Sequence, residues 1–463
     1  MDALPAQIED ARIAAPTPTQ DALRRRVIAL AWPVISENFL HTMLGIVDTI
    51  MVAQLGPAAL AGVGAAIQLM FFVISALSAL SVGSSVLVAQ AVGGHRPADA
   101  GRYAKQSLVW SVLLSIPLVL IGLLLARPAV SIFGMEPEVT NIGAAYFQVV
   151  MGTVVVLTLQ MLGGGVLRGA GDSRTPMLIT LFANVVNVVL TYGLIFGKLG
   201  MPELGAVGSA WGTFLSRLVG FVVLFYVMWR GVNGVSIRGI EGWRPDWSQA
   251  RRLLRIGVPA ATEQVLNSVA FLLFSITVAR LGTLGLAAHR VALNALSISF
   301  LPGIGFAMAA TALVGQSVGA RSLAEARAIA AIATRWAAVW MGLIGLVFLF
   351  FAEAIIALFT PEPEVVRMGG AALRAIAFTQ PFWAINFVQS GALRGTGNTQ
   401  FPMIVGVAGM WTAVALGALI LFTIGGGLTA SWGAFLFTSP ITAYLVVRRF
   451  RRATEQGAIA VVG

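Results

Sequence analysis

The sequence contains no cysteine and little charge. Of its 463 residues, only 11% are charged and only three are histidines. The lack of cysteine excludes disulfides, thioether-linked haem and metal sites built on thiolates. The shortage of charge excludes a soluble domain, because a soluble chain that is 58% hydrophobic would expose large apolar patches.

The N-terminal stretch also lacks an apolar core. Residues 1–23 are polar and contain proline, so they do not form a signal peptide. We expect residues 1–23 to be a disordered cytoplasmic tail, with the first apolar segment serving as its own insertion signal.

The chain consists largely of long apolar runs. About 20 apolar residues cross a bilayer as a helix, whereas a transmembrane barrel would show alternating segments of about ten residues. We therefore predict an all-α integral membrane protein with twelve transmembrane helices. The predicted spans are 27–51, 59–84, 106–126, 141–164, 176–197, 206–229, 256–279, 284–312, 328–351, 368–390, 401–423 and 428–447.

The basic residues lie unevenly between these spans. Of the 30 lysines and arginines, 22 fall on the side that holds the N-terminus and 5 on the opposite side. The positive-inside rule places the basic side in the cytoplasm. We expect a multi-pass protein of the cell inner (plasma) membrane with both termini cytoplasmic. The net charge of +11 then reflects topology rather than nucleic-acid binding.

The chain repeats itself at an offset of 226 residues. Matched pairs include Arg25 with Arg251, Pro33 with Pro259, Glu37 with Glu263, Gln90 with Gln316, Gly93 with Gly319, and Arg168 with Arg394. Each repeat holds six spans, an even number, so both cross the membrane in the same sense, as in parallel-repeat transporters. We predict an N-lobe at 24–229, a cytoplasmic linker at 230–255 that opens a short surface helix near Pro245, a C-lobe at 256–447 and a cytoplasmic tail at 448–463.

The first span carries more ionisable groups than a membrane helix normally tolerates. Glu37, His41 and Asp48 share one helical face within roughly 40°. Each such group costs roughly 2.5–3.5 kcal/mol at mid-bilayer and therefore indicates a functional site. Asp48 is the main candidate, since burial favours the neutral form of a carboxylate and lets it exchange a proton. The alternative is a carboxylate that merely joins neighbouring helices.

Further polar residues in the spans are candidates around Asp48. Thr180, Asn184, Asn187 and Thr191 form a stripe on the fifth span, and we predict that it faces Asp48 rather than only joining helices. The other candidates for a substrate cavity are Gln68, Tyr146, Gln148, Thr153 and Gln160. Arg217, inside the sixth span, is expected to snorkel or to form an ion pair.

A second group of residues is a candidate for a relay or gate. Glu37 recurs as Glu263, which favours a structural or gating role over a site confined to one lobe. His41 either relays protons or is simply hydrogen-bonded. Pro33 removes one backbone hydrogen bond and is expected to kink the first span.

Two matching glycine-rich loops follow the fourth and tenth spans. They read "GGVLRGAGDSRTP", ending at Pro176, and "SGALRGTGNTQFP", ending at Pro402. A phosphate-binding P-loop is excluded, because its Lys-Ser/Thr pair is missing. The loops are instead typical of tight turns with proline opening the next helix.

Together with "VDTIMV" at 47–52, these loops closely resemble the multidrug and toxic compound extrusion (MATE) transporters. The resemblance implies a V-shaped pair of six-helix lobes that exports cationic or amphipathic organic compounds in exchange for inward H⁺ or Na⁺. It places Asp48 at the family's coupling aspartate, and Pro33 at the kink proline of the DinF-like prokaryotic branch.

The sequence departs from the family pattern at three positions. Thr191 stands where DinF-like members usually have a second aspartate, and Asn267 and Trp383 replace the two C-lobe acids of NorM-like members. These departures favour an N-lobe site and H⁺ as the coupling ion, with Na⁺ near Asp48 as the alternative. No other metal and no cofactor is expected.

The partners expected are a small organic cation and the lipid bilayer, with a monomeric protein and no nucleic acid. One alternative is a lipid-linked oligosaccharide flippase, but such proteins tend to have several arginines in the cavity to hold pyrophosphate, whereas the first span here is acidic. A remote one is an integral-membrane transferase, although the paired acidic clusters of such an enzyme do not occur here. We therefore expect a transporter and not an enzyme.

Overall fold

The computed structural model of the protein describes residues 19–455, which are helical almost throughout. In chain order the helices are α1 (Gln20–Ala53), α2 (Pro57–Gly93), α3 (Pro97–Ser131), α4 (Pro137–Gly152), α5 (Val154–Gly169), α6 (Arg174–Phe196), α7 (Gly205–Arg230), α8 (Trp247–Ala279), α9 (Gly282–Gly319), α10 (Leu323–Ala357), α11 (Pro363–Ala377), α12 (Gln380–Gly395), α13 (Gln400–Ile424) and α14 (Leu428–Glu455). The all-α architecture in two repeats is confirmed.

Two of the predicted spans are each made of two helices. Among the described residues, ten helices are long and apolar enough to cross a membrane, and α4 with α5, bent by 50°, makes an eleventh. The second broken span is α11 with α12, which is less apolar. The breaks fall at Thr153 and Thr379, which are 226 residues apart, and each hydroxyl donates to a preceding carbonyl, of Val149 (2.8 Å) and Ile376 (2.7 Å). The sequence had predicted that the fourth and tenth spans are single helices. Each is instead made of two helices.

The ends of the described chain are more helical than expected. α1 begins at Gln20, so residues 20–23 of the predicted tail are helical, while residues 1–18 of that tail lie outside the described residues. Likewise α14 continues to Glu455, so residues 448–455 are helical rather than a tail, and residues 456–463 are outside.

The segment between the lobes is anchored to α3 by hydrogen bonds. The Lys105 ammonium on α3 donates to the carbonyls of Arg238 (2.7 Å), Gly239 (3.2 Å) and Glu241 (2.8 Å). The predicted separate surface helix is wrong, because Asp246 caps the start of α8, which runs on without a break into the seventh span. Hydrogen bonds from Ser248 lower the pKa of the Asp246 carboxyl, so the cap is ionised and suits a helix N-terminus.

Helices α1 and α8 each begin in the core of the other lobe. Val27 and Ala31 of α1 pack in an apolar cluster with residues of α9, α10, α12 and α14. In the same way Leu253 of α8 packs among N-lobe residues, whereas Phe274 near its end belongs to a C-lobe cluster. The prediction placed α1 from residue 24 in the N-lobe and divided α8 at residue 256 between the linker and the C-lobe. The beginnings of both helices pack across that predicted division.

The lobes also meet through repeat-related backbone contacts at the end of the bundle that holds the glycine-rich loops. The Gln90 amide donates to the Gly395 carbonyl (3.0 Å), and the Gln316 amide donates to the Gly169 carbonyl (2.9 Å). Gly93 lies so close to the Gln316 backbone, and Gly319 so close to the Gln90 backbone, that an added Cβ would overlap a carbonyl oxygen. We call this set of six residues the Gln–Gly latch.

Gly93→Ala should lower the stability of the protein, because its Cβ forces apart two backbones that now touch. We expect a loss of about 1–3 kcal/mol from this overpacking, measured by thermal denaturation of the purified protein in detergent. Gly64→Ala is the matched control, since it lies on the same helix with open space around it and should gain the helix propensity of alanine. Equal or greater stability of Gly93→Ala would contradict the backbone contact.

Candidate functional site

Asp48 lies near the end of α1, in front of α7. Its Oδ1 is buried and has no hydrogen-bond partner among the described residues. Thr213 and Arg217, one turn apart on α7, both lie close enough to interact with the Asp48 carboxylate. A buried carboxylate with one free oxygen can accept a proton there without breaking an existing bond.

The polar residues of α6 reach Asp48 through Thr213. The Asn187 amide donates to Thr213 Oγ1 (3.2 Å) and to Ser216 Oγ (3.2 Å). Its carbonyl oxygen accepts from Thr191 Oγ1 (3.2 Å), and both Asn187 and Thr191 are fully buried. These residues therefore form one hydrogen-bonded chain from Thr191 to Thr213, which lies beside Asp48.

Arg217 and Tyr146 complete the site around Asp48. Arg217 interacts electrostatically with Asp48, and the neutral phenol of the buried Tyr146 lies close to both. The void beside Arg217, lined also by Thr153 and Thr213, is only about 10 Å³, which holds at most a single water. The sequence raised ion pairing for Arg217 but did not show that its neighbour is Asp48.

Polar contacts hold α1 against the N-lobe at three further levels. The Ser173 hydroxyl donates to the Leu30 carbonyl (2.8 Å), Arg168 pairs with Glu37, and the Asn184 amide donates to the Leu40 carbonyl (2.8 Å). Asn184 therefore binds the backbone two turns before Asp48, and the expectation that it joins the Asp48 group is corrected. The buried Pro33 lies between the first two levels, within a helix that is continuous from Gln20 to Ala53.

The two repeat-related glutamates are ion-paired. Glu37 pairs with Arg168 at 3.1 Å, and Glu263 pairs with Arg394 at 2.8 Å, with 13% and 12% of the glutamate side chains exposed. The sequence assigned these glutamates to a relay or gate and missed their partners. The signal was present, because glutamate and arginine recur with the same 226-residue offset.

His41 lies one turn beyond Glu37 on an exposed face of α1. It is within electrostatic reach of Glu37, Arg168 and Arg217, but it makes no hydrogen bond in the described part of the chain. It thus stands between the Glu37–Arg168 pair and the Asp48 site, and its role in a relay stays a prediction.

The remaining cavity candidates do not share one cavity. Gln68 and Gln148 are exposed, Thr180 is buried on α6, and Gln160 packs against Gly220. A cavity of about 540 Å³ lies elsewhere, among α8, α9, α12, α13 and α14, with α2 and Arg168 of α5 at its edge. None of the residues predicted for the substrate cavity lines this one. Its position depends on how the helices pack together, which the local sequence pattern does not show.

The MatE family profile matches this chain twice, at residues 33–193 and 259–419. The two matched segments start 226 residues apart, the offset of the repeat seen in the sequence. The chain belongs to the MatE family. The predicted membership of the MATE transporters is confirmed, whereas the DinF-like branch stays a prediction.

Related sequences carry transporter names and extend over nearly the whole chain. The probable multidrug resistance protein NorM of Thermotoga maritima is 34% identical over 420 residues, or 89% of this chain and 88% of that protein. The multidrug resistance protein NorM of Burkholderia vietnamiensis is 28% identical and covers 92% and 93%. These are transporters and not enzymes.

Solved structures share the fold at lower sequence identity. An outward-facing multidrug resistance MATE family transporter of the MOP superfamily superposes with a TM-score of 0.86 at 22% identity, covering 94% of this chain and 96% of that chain. A MATE structure in the bent conformation gives 0.87 at 22% identity, covering 95% and 98%.

Glu37→Gln should destabilise the protein on the order of 3 kcal/mol, because it leaves the Arg168 charge unpaired in a largely dry setting. Thermal denaturation in detergent measures the loss. Adding Arg168→Leu to Glu37→Gln should recover most of it, since the orphaned charge is then removed. Glu364→Gln breaks a solvent-exposed pair with Arg367 and should cause no measurable loss. An equal effect of Glu37→Gln and Glu364→Gln would contradict this account.

Proposed function

We propose that the protein is a secondary active efflux transporter that exports cationic or amphipathic organic compounds in exchange for inward H⁺ by alternating access. The observation that carries the proposal is the Asp48 carboxylate, whose buried Oδ1 has no hydrogen-bond partner among the described residues and which lies beside the hydrogen-bonded chain of Thr191, Asn187 and Thr213. The multidrug resistance names of the relatives support the export of organic compounds.

The surroundings of Asp48 favour H⁺ over Na⁺. A sodium ion needs several oxygen ligands, but Thr213 Oγ1 already accepts from Asn187, and the Asn187 carbonyl oxygen already accepts from Thr191. The positive charge of Arg217 opposes a second cation. A proton needs only the free Oδ1 of Asp48, which supports proton coupling.

The Gln–Gly latch supports alternating access. It closes the end of the bundle that we predict to be cytoplasmic, and its two amide hydrogen bonds and two glycine contacts are all repeat-related. When this end opens, the paired amides can exchange the facing carbonyls for water, and the glycine backbones that now touch must separate. In our proposal, protonation of Asp48 changes how α1 is held on the N-lobe, and α1 transmits this through Glu37–Arg168 to the latch.

The charge pairing also weighs against a lipid-linked oligosaccharide flippase. Both arginines at the cavity edge are bound to glutamates, Arg168 to Glu37 and Arg394 to Glu263. A pyrophosphate would have to displace a carboxylate from each guanidinium. The proposed drug or toxin antiporter needs no such exchange.

Asp48→Asn should abolish substrate-driven proton movement in proteoliposomes, because the amide keeps the shape of the side chain but cannot take up and release a proton. The measurement is the change in internal pH when ethidium is added, with a proton gradient or a sodium gradient imposed separately. Glu353→Gln is the control, since this carboxylate is half exposed and pairs with Arg374. It should retain exchange. Unchanged exchange in Asp48→Asn, or exchange that follows only the sodium gradient, would contradict the proposal.

A further inference from the structure

The cavity in the C-lobe is separate from the Asp48 site. Its volume of about 540 Å³ lies within the range of sites for small organic ligands. Its lining comes mainly from α8, α9, α12, α13 and α14, whereas Asp48 and its partners lie on α1, α6 and α7. A ligand in this cavity would therefore not share a side chain with the coupling proton.

The charges around this cavity cancel. Its charged lining residues are Arg168, Glu263 and Arg394. Arg394 binds Glu263 at 2.8 Å, and Arg168 binds Glu37, which stands behind it, at 3.1 Å. Because Glu263 is already paired, no carboxylate in this lining is free to compensate the desolvation of an organic cation.

One wall of the cavity is built of interlocking aromatic rings. Phe300 and Trp383 meet edge to face with centroids 4.9 Å apart, Phe300 and Phe387 at 5.5 Å, and Trp383 and Phe435 at 5.8 Å. Because each ring holds its neighbour, the wall is rigid before a ligand arrives. Such a surface suits a flat aromatic compound, which stacks or packs edge to face.

The lining also carries three uncharged amide side chains, Gln264, Asn267 and Asn386. An amide offers both hydrogen-bond donors and an acceptor and carries no charge. These side chains suit a ligand with a neutral polar group such as an amide or a phenol.

From these observations we infer that the C-lobe cavity binds uncharged aromatic amphiphiles with a hydrogen-bonding polar group. The inference rests on the proposed function and narrows its substrate class from cationic or amphipathic to neutral. It also places substrate and proton in different lobes. Their exchange is then coupled through the movement of α1 and its Glu37–Arg168 pair, not through competition for one carboxylate.

Binding to the purified protein in lipid nanodiscs tests this inference, with signals from empty nanodiscs subtracted. The probes are N-phenyl-1-naphthylamine, which is uncharged, its anionic relative 8-anilino-1-naphthalenesulfonate, and the cation ethidium. We expect saturable binding of the neutral probe, with both charged probes weaker by at least about tenfold, a difference that one unfavourable charge contact readily causes.

Two substitutions that change the net charge of the lining in opposite directions serve as matched controls. Asn267→Asp adds an unpaired carboxylate and should raise ethidium affinity while weakening the neutral probe. Glu263→Gln frees Arg394 and should raise the affinity of 8-anilino-1-naphthalenesulfonate. Each variant is thus shown to be folded by the probe that it gains. Ethidium binding to the unaltered protein as tightly as the neutral probe, or indifference of all three probes to both substitutions, would overturn the assignment.

The outcomes separate this inference from the proposed function. Protein that binds N-phenyl-1-naphthylamine but moves no protons in proteoliposomes would refute the antiport and leave the site intact. Protein that exchanges protons for ethidium but does not bind the neutral probe would refute the site and leave the antiport intact. Asp48→Asn should bind the neutral probe within about twofold of the unaltered protein, since its side chain is outside the cavity.

Discussion

The two lobes depend on each other because each supplies the first half of one helix to the core of the other. The start of α1 packs in the C-lobe and the start of α8 packs in the N-lobe. Just beyond these buried halves, Glu37 and Glu263 meet Arg168 and Arg394. Separating a carboxylate from a guanidinium in such surroundings costs several kcal/mol. These two pairs therefore fix where α1 and α8 pass from one lobe to the other.

On this symmetric frame the chemistry is asymmetric. Asp48 is matched in the repeat by Phe274, which is fully buried among His289, Trp432 and Phe435. The ionisable group of one lobe thus corresponds to an aromatic core residue of the other. The C-lobe in turn contains the large aromatic-walled cavity. The first repeat thus contains the ionisable carboxylate of Asp48, and the second contains a cavity of the size of a small organic molecule.

Features that depend on local periodicity could be predicted from the sequence. The helical spans, the 226-residue repeat and the polar stripe of α6 follow from neighbouring residues along one helix. The stripe was only partly right, since Asn187 leads to Asp48 whereas Asn184 binds the Leu40 carbonyl. Asn184 and Asn187 are only three positions apart on α6. Which of them leads to Asp48 depends on how α6 packs on α1 and α7, and the local pattern does not show this.

Features that depend on distant partners do not follow from local periodicity. Arg168 is 131 positions from Glu37, and the only sequence signal that relates them is the recurrence of both residues at the 226-residue offset. The helix break at Thr153 was not predicted either, because that position holds neither proline nor glycine, although Gly152 precedes it. The sequence also did not show the cavity of the C-lobe, whose position results from how α8 and α9 meet α12 and α14. The predicted substrate cavity near Asp48 stays a prediction.

The crossing of α1 also has a consequence for how the chain is made. α1 is made before the second repeat, yet its residues Leu23 and Val27 belong to the same buried cluster as Leu313 and Phe450, which are made later. Domains usually fold as they emerge, N-terminal first. Here the beginning of α1 reaches its packed position only after the second repeat has been made.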